Sequence, residues 1–474
     1  MSAIEVRMLI NGEWRVGTVP FEDRDPYRDE LIALAPTASP EDLDLALDAA
    51  VEAFPRVARL PSFERQAILQ RAAELVQGRK ADLARTIARE TGKALKDSLG
   101  EIERSVDTLR ISGEEAKRIQ GFHVPLDGVP MGEGKIALML RFPVGVVAAI
   151  TPFNAPFNLM CHKVGPAFAA GNTVVLKPPH QAPLIGMQLG EVMQEAGFPA
   201  GALNIVYGAG NVGERLITDL RVDFVTFTGS NRAGEAIRAR SGLKRLALEL
   251  GGDGPTIVHG DADVRTAAIT CSRNAFRLAG QSCTSVQRVY VQEAVVDQFL
   301  DEVLAFVPTL NVGDPLDPRT DIGTLVDQAA ASRVESWVRE AEAQGARVLC
   351  GGARQGAQMA PTVVTNVTPQ MKIVCQEVFG PVVVVVPYRD LTEAIRQVNE
   401  SRYGLQCGVY SSSLEVAFRA IREIRAGGII INGTSTWRID QMPYGGVKQS
   451  GIGREGPRYA IEEMTEQRLV VFNL

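Results

Sequence analysis

The chain has 474 residues, more than a single hydrophobic core holds, so two large units with or without a small appendage are expected. A formal charge of -6, with 45% hydrophobic and 22% charged residues, is that of a globular protein and speaks against a nucleic-acid partner, whose footprint is basic. The N-terminal residues lack the apolar run of a secretion signal, and the longest apolar stretch, around 144–150, is far short of the ~18 residues of a membrane span, so the chain reads as soluble and cytoplasmic, with no membrane partner.

Ser39-Pro40-Glu41-Asp42 opens the first helix, with Ser as N-cap and Pro in the first turn. Leu43, Leu45, Ala46, Ala50 and Phe54 form its apolar face. Helical stretches follow at 62–90 and 93–120, then a strand pair within 124–142. From 144 onward short units alternate. Strands are expected at 144–150, 173–177, 203–207 and 223–227, and helices at 157–170, 185–196, 212–219 and from Ser230. Continuous apolar strands separated by helices predict a parallel α/β sheet, which binds ligands at the carboxyl ends of its strands. The second half repeats the style. It has strands at 255–258, 286–291, 382–387 and 427–432, helices at 264–278, 322–344 and 414–424, and a last strand near 466–474.

Several strings could carry chemistry. Gly208-Ala209-Gly210-Asn211-Val212-Gly213 joins a strand to a helix, the setting of a dinucleotide fingerprint, although a tight turn has the same pattern. Phe227-Thr228-Gly229-Ser230 also ends a strand at a helix start, where free N–H groups favour an anion and Ser also suits a plain N-cap. Six Cys without close pairing and four scattered His give neither a disulfide framework nor a metal site. Cys283 stands apart, because Gly280-Gln281-Ser282-Cys283-Thr284-Ser285 places it among small polar residues on a connection, whereas Cys271 lies in an apolar helix. Glu249, between two Leu and before two Gly, is placed for desolvation and a raised pKa, which suits a general base; a salt-bridged strand end is the plainer alternative. Asn154 follows a buried strand and could donate to an oxyanion, or simply turn the chain between Pro152 and Pro156.

Seven strings in order resemble the aldehyde dehydrogenase superfamily. They are TPFNAPFN (151–158), HKVGPAFAAGNTVVLKPP (162–179), FTGS (227–230), LELGG (248–252), GQSC (280–283), EVFGP (377–381) and PYGGVKQSGIGRE (443–455). The resemblance implies Cys283 as nucleophile, Glu249 as base, Asn154 with the Cys283 N–H as oxyanion hole, and Lys163 with Glu455 as a proton-relay pair. For NAD or NADP it implies Ile150, Thr151, Pro152, Phe153, Lys177, His180, Gly213, Phe227, Thr228, Gly229, Ser230, Leu250, Gly251, Glu377 and Phe379, and it leaves GAGNVG a flanking role. His180 stands where many members carry an acid for the adenine ribose, which leaves NADP open.

The segment from Trp437 resembles the branch acting on lactaldehyde, glyceraldehyde phosphate without phosphorylation, and phosphonoacetaldehyde. It makes Arg438, in the loop at the substrate entrance, a candidate for a hydroxylated or anionic tail, with Arg110, Arg277 and Phe157 as further candidates. The implied fold is α/β, with two Rossmann-like parallel-sheet domains and a small β oligomerisation element. The cofactor domain would span 1–124 and 143–250, the catalytic domain 251–450, and the element 125–142 with 465–474. A homodimer or homotetramer is expected. A CoA-acylating semialdehyde dehydrogenase, a cysteine hydrolase and a non-catalytic binding protein are the competing functions.

Overall fold

The computed structural model describes residues 3–474. Its centre is an eight-stranded sheet in which five strands run parallel in the order Arg245–Glu249, Phe224–Thr228, Val146–Ile150, Thr173–Lys177, Leu203–Ile205. All five residues of Val146–Ile150 and of Thr173–Lys177 are buried, as expected for strands covered by helices on both faces. Antiparallel edges come from Gly451–Ile452 on one side and from Met8–Ile10 and Glu13–Arg15 on the other. A second sheet of seven strands has the order Arg347–Cys350, Thr362–Thr365, Val382–Tyr388, Arg288–Gln292, Pro255–Val258, Gln406–Tyr410, Gly428–Ile431, parallel except at its first strand. The α/β architecture with two parallel-rich sheets is the one expected from the sequence.

Strand order places the ligand crevice. From Val146–Ile150 the chain proceeds to one side through Thr173–Lys177 and Leu203–Ile205, then returns to the other side with Phe224–Thr228. The reversal opens a crevice beyond Ile150 and Thr228. Only Leu250 to Gly254 then connect Glu249, the last residue of the first sheet's outermost parallel strand, to Pro255, the first of a second-sheet strand. So short a connection brings the carboxyl ends of the first sheet against the amino ends of the second.

Local chemistry explains most boundaries. Ser39 and Asp42 form a reciprocal capping box at the start of Pro40–Ala58. The stretch expected at 62–90 is two helices, Ser62–Gly78 and Lys80–Thr91, divided at Arg79. The helix expected at 322–344 begins only at Gln328, where the Asp327 side chain caps it. The short strands before residue 38 and the helices Val296–Phe306 and Leu391–Glu400 lie outside the sequence expectation. Thr465–Asn473 pairs antiparallel with Lys135–Pro143 along its length and forms the outer strand of a three-stranded sheet completed by Phe122–Val124. Leu469, Val471 and Phe472 are exposed on it. Among the described residues no helix is long and apolar enough to cross a membrane.

Candidate active site

The approach to Cys283 is strained. The helix Val264–Phe276 stops two residues before the expected end, and Leu278 and Ala279 adopt left-handed φ of 57° and 51°. Gly280 follows at φ 71°, where an added Cβ would meet the Gly380 carbonyl oxygen at 2.0 Å. Gly252 is constrained in the same way, since a Cβ there would lie 2.3 Å from the Cys283 carbonyl oxygen. These close approaches hold Cys283 against the connection that follows Glu249.

Cys283, Asn154 and Glu249 line one cavity of about 420 Å³, together with Glu455, Glu377, Phe379, Leu250 and Gly251. The Asn154 Oδ1 and Glu249 Oε2 atoms are buried without a hydrogen-bond partner among the described residues. Burial, and then the neighbouring Glu455, push the Glu249 carboxyl well above the usual range, as its setting between two Leu predicts. Desolvation raises the Cys283 thiol to about 11, opposed by a hydrogen bond with Tyr444, whose hydroxyl is 3.0 Å from Sγ. Lys163, 1% exposed, is ion-paired with Glu455, and Arg438 donates to the other oxygen of that carboxylate at 2.9 Å. Burial alone would raise Glu455, but Lys163, His162 and Arg438 together hold it well below the ordinary carboxylate range.

A second cleft, of about 650 Å³, shares Pro152, Phe153, Thr228, Gly229 and Ser230 with the first and runs past Ile150, Thr151, Lys177, His180, Gly213 and Phe227. It lies at the predicted crevice, and its donors fit a dinucleotide. Thr151 Oγ1 and Thr228 Oγ1 are buried and unpartnered among the described residues. Ser230 caps the helix Asn231–Arg240, whose amino end suits a phosphate. Among the described residues the Lys177 ammonium makes one bond, to the Pro178 carbonyl at 3.3 Å, and burial lowers it to about 8. At Gly213 a Cβ would only touch Ile150 and Lys177 at 3.5 and 3.7 Å, so this glycine borders the cleft without a severe close approach. His180 stacks on Phe21 with centroids 3.9 Å apart, a contact across 159 positions that no local pattern signals.

The substrate candidates divide. Arg277 lines the cavity, its Nε bound to Asp97 at 2.7 Å and its side chain 53% exposed. Arg438 also lines it but is not an exposed entrance residue. Its side chain is 11% exposed, and its guanidinium lies 3.6 Å from the Tyr444 ring centroid beside Glu455. Arg110 does not line the cavity and points outward from Leu95–Ala116. Arg104 occupies that wall instead, because an offset of six positions is about one and two-thirds helical turns and puts the two Arg on different faces. Phe157 does not line it either. It is 0% exposed in the first turn of Pro156–Ala169, in the core, and Leu159 faces the cavity in its place. Sequence reasoning passed over Arg104, Asp440 and Tyr444. Tyr444 lies inside the PYGG string, but only the fold brings it to Cys283.

The aldehyde dehydrogenase family model matches residues 14–470. The chain belongs to the aldehyde dehydrogenase family. It is therefore an oxidoreductase that acts on an aldehyde with NAD or NADP. It is 46% identical over 468 residues to 3-sulfolactaldehyde dehydrogenase from Priestia megaterium, covering 98% of both chains. Aldehyde dehydrogenase 21 from Physcomitrella patens, solved in complex with the reaction product succinate, matches at TM-score 0.97 and 36% identity, over 100% of this chain and 99% of that one. The NADP-dependent glyceraldehyde-3-phosphate dehydrogenase from Bacillus halodurans, complexed with NADP, matches at TM-score 0.97 and 35% identity, over 99% and 100%.

Proposed function

We propose that this aldehyde dehydrogenase oxidises a short aldehyde with a hydroxylated or anionic tail to its carboxylic acid through a covalent Cys283 intermediate. The observation that carries the reading is the composition of one cavity, in which the Cys283 thiol, the unpartnered Asn154 and Glu249 side chains, and the partly exposed Arg277 and Arg104 share a wall system. The 46% identical relative acts, by its name, on an aldehyde with a sulfonate tail, which agrees with cations at the rim.

The Cys283 thiolate, formed by loss of the thiol proton to solvent, attacks the aldehyde carbon and gives a thiohemiacetal oxyanion. The Asn154 amide and the Cys283 N–H donate to that oxygen, a charge worth most in a water-poor site. NAD or NADP, held by Lys177, Ser230 and the Thr228–Gly229 turn with Glu377 and Phe379 at its reactive end, supplies the hydride acceptor when bound. Glu249, in its ionised form, takes a proton from water as that water attacks the thioester. Lys163 and Arg438 hold Glu455 ionised next to Glu249, and that fixed negative charge raises the proton affinity of the base. Residues up to 121 and 144–250 form the cofactor domain, 251–450 the catalytic domain, and the sheet of 122–143 with 465–473, which takes in Phe122–Val124 from the span expected for the cofactor domain, joins subunits into a dimer or tetramer.

A panel of three- and four-carbon aldehydes, with and without carboxylate, phosphonate or sulfonate tails, tests the substrate class by formation of reduced cofactor in the absence of CoA. A higher kcat/KM for the charged set is expected. Equal values across the panel would remove the tail site, and turnover that requires CoA would favour the acylating alternative.

A further inference from the structure

The sulfur of Cys283 has one hydrogen-bond partner among the described residues, and it is the Tyr444 hydroxyl. Its other charged neighbours are Glu377 and Glu249, which oppose a negative sulfur, and Arg438, which favours it. Lys163 and Glu455 stand behind Arg438. An anionic sulfur here therefore faces two carboxyls and depends on Arg438 and on a single donor.

That donor is fixed on every side. Tyr444 is 3% exposed and exchanges backbone hydrogen bonds with Glu455, N to O at 3.0 Å and O from N at 2.6 Å. The Arg438 guanidinium covers its ring, and Arg438 is itself held by Glu455. A cation on the ring face draws electron density from the phenol and strengthens its O–H as a donor. Burial, and then the neighbouring Cys283, push the Tyr444 hydroxyl well above its usual pKa, so it keeps its proton at neutral pH. It is equipped to donate a hydrogen bond and not to act as a base.

We propose that Tyr444 is a catalytic residue whose hydroxyl donates to the Cys283 thiolate, both when the sulfur attacks and when it departs from the thioester, with Arg438 as the positioning cation on its ring. In the second step the water oxygen bonds to the thioester carbon and its proton passes to Glu249. The carbon–sulfur bond breaks, its electron pair stays on sulfur, and the Tyr444 O–H meets that charge without giving up its proton. The inference rests on Cys283 being the nucleophile.

Alkylation of the full-length enzyme by iodoacetamide across pH, with the modified peptide mapped, tests both levels. In Tyr444→Phe the midpoint for Cys283 labelling is expected to rise by about one pH unit, and labelling at neutral pH to slow roughly tenfold, the size of one hydrogen bond to a charged group. The acid limb of kcat/KM should move with it, while binding of the dinucleotide the parent takes, NAD or NADP, measured by fluorescence stays at the parent value and shows the fold intact. An unchanged Cys283 midpoint overturns the role of Tyr444. Turnover that survives stoichiometric alkylation of Cys283 in the parent enzyme overturns the nucleophile assignment beneath it. Should Tyr444→Phe fail to bind that dinucleotide, replacement of Tyr444 by fluorotyrosine provides the second test. The more acidic phenol must lower the midpoint, and a midpoint that stays put overturns the proposal.

Discussion

The two ends of the catalytic cavity are built differently. Around Cys283 the charges are dry. Lys163, Glu455 and Arg438 are 1%, 5% and 11% exposed at the side chain and are paired with one another. At the solvent-exposed rim Arg104 and Arg277 are 40% and 53% exposed, each tethered to a nearly buried Asp, Asp440 or Asp97. Charges at the first end act in a low dielectric and their loss is felt strongly. Those at the second are screened by water, and the tethers supply direction more than strength. Substitutions at the dry end should therefore change the chemistry, and those at the wet end should change which aldehyde is preferred.

Glu249→Gln should show the largest effect. The amide cannot accept the water proton, so steady turnover is expected to fall roughly 10²–10⁴-fold, the range for loss of a positioned base. One burst of reduced cofactor per site should remain, because the first half of the reaction does not need this base. The parent's turnover should rise with pH as the carboxyl, held protonated by burial and Glu455, ionises. That limb should vanish in the variant. Steady turnover equal to the parent's would make the dry end's base a bystander.

Arg277→Ala should act more mildly and selectively. A hydrogen bond to a charged group contributes about 1.5–3 kcal/mol, and exposure discounts it, so kcat/KM for an anionic-tailed aldehyde should drop roughly tenfold. A neutral aldehyde of the same length should be little affected. Arg277→Lys, which keeps the charge but not the fork that holds Asp97 while reaching a ligand, should fall between. Equal losses on charged and neutral aldehydes would mean that the variant has disturbed Asp97 and the wall, and that the comparison of two ends is drawn in the wrong place.

The same contrast explains what could be read without the fold. Glu249 was legible because its own neighbours, two Leu and two Gly, announce desolvation, and Ser39, Ser230 and the strand Thr173–Lys177 carry equally local signals. Cys283 could be singled out by its small polar flanks, but its left-handed approach at Leu278 and Ala279 could not, since neither residue favours that conformation. Arg438 was found and misplaced. A cation in a connecting segment reads as exposed, and only the way the chain folds back to bring Glu455 and Tyr444, a little further along, onto it makes it a buried one. Arg104 was passed over for Arg110 because choosing between two Arg on one helix requires knowing which face the cavity meets.

The cofactor cleft gives the smallest predicted effect. Lys177 is cationic below about pH 8, to which burial lowers it, and neutral above. His180 beside it is held below its usual value by burial and by Lys177, so it is uncharged at neutral pH and gains charge only on acidification. A 2′-phosphate on the adenine ribose would meet one cation at neutral pH, none well above pH 8, and two in acid. The ratio of kcat/KM for NADP over NAD, which reports the free enzyme, should therefore fall a few-fold as pH rises through about 8, whereas in acid the charge gained at His180 is offset as the phosphate itself takes up a proton at pH ~6. The cleft is open, so the change should shrink with added salt. A ratio that stays flat across this range, or a strong exclusion of NADP at every pH, would place the 2′ position away from Lys177 and leave the His180–Phe21 stack as a structural contact.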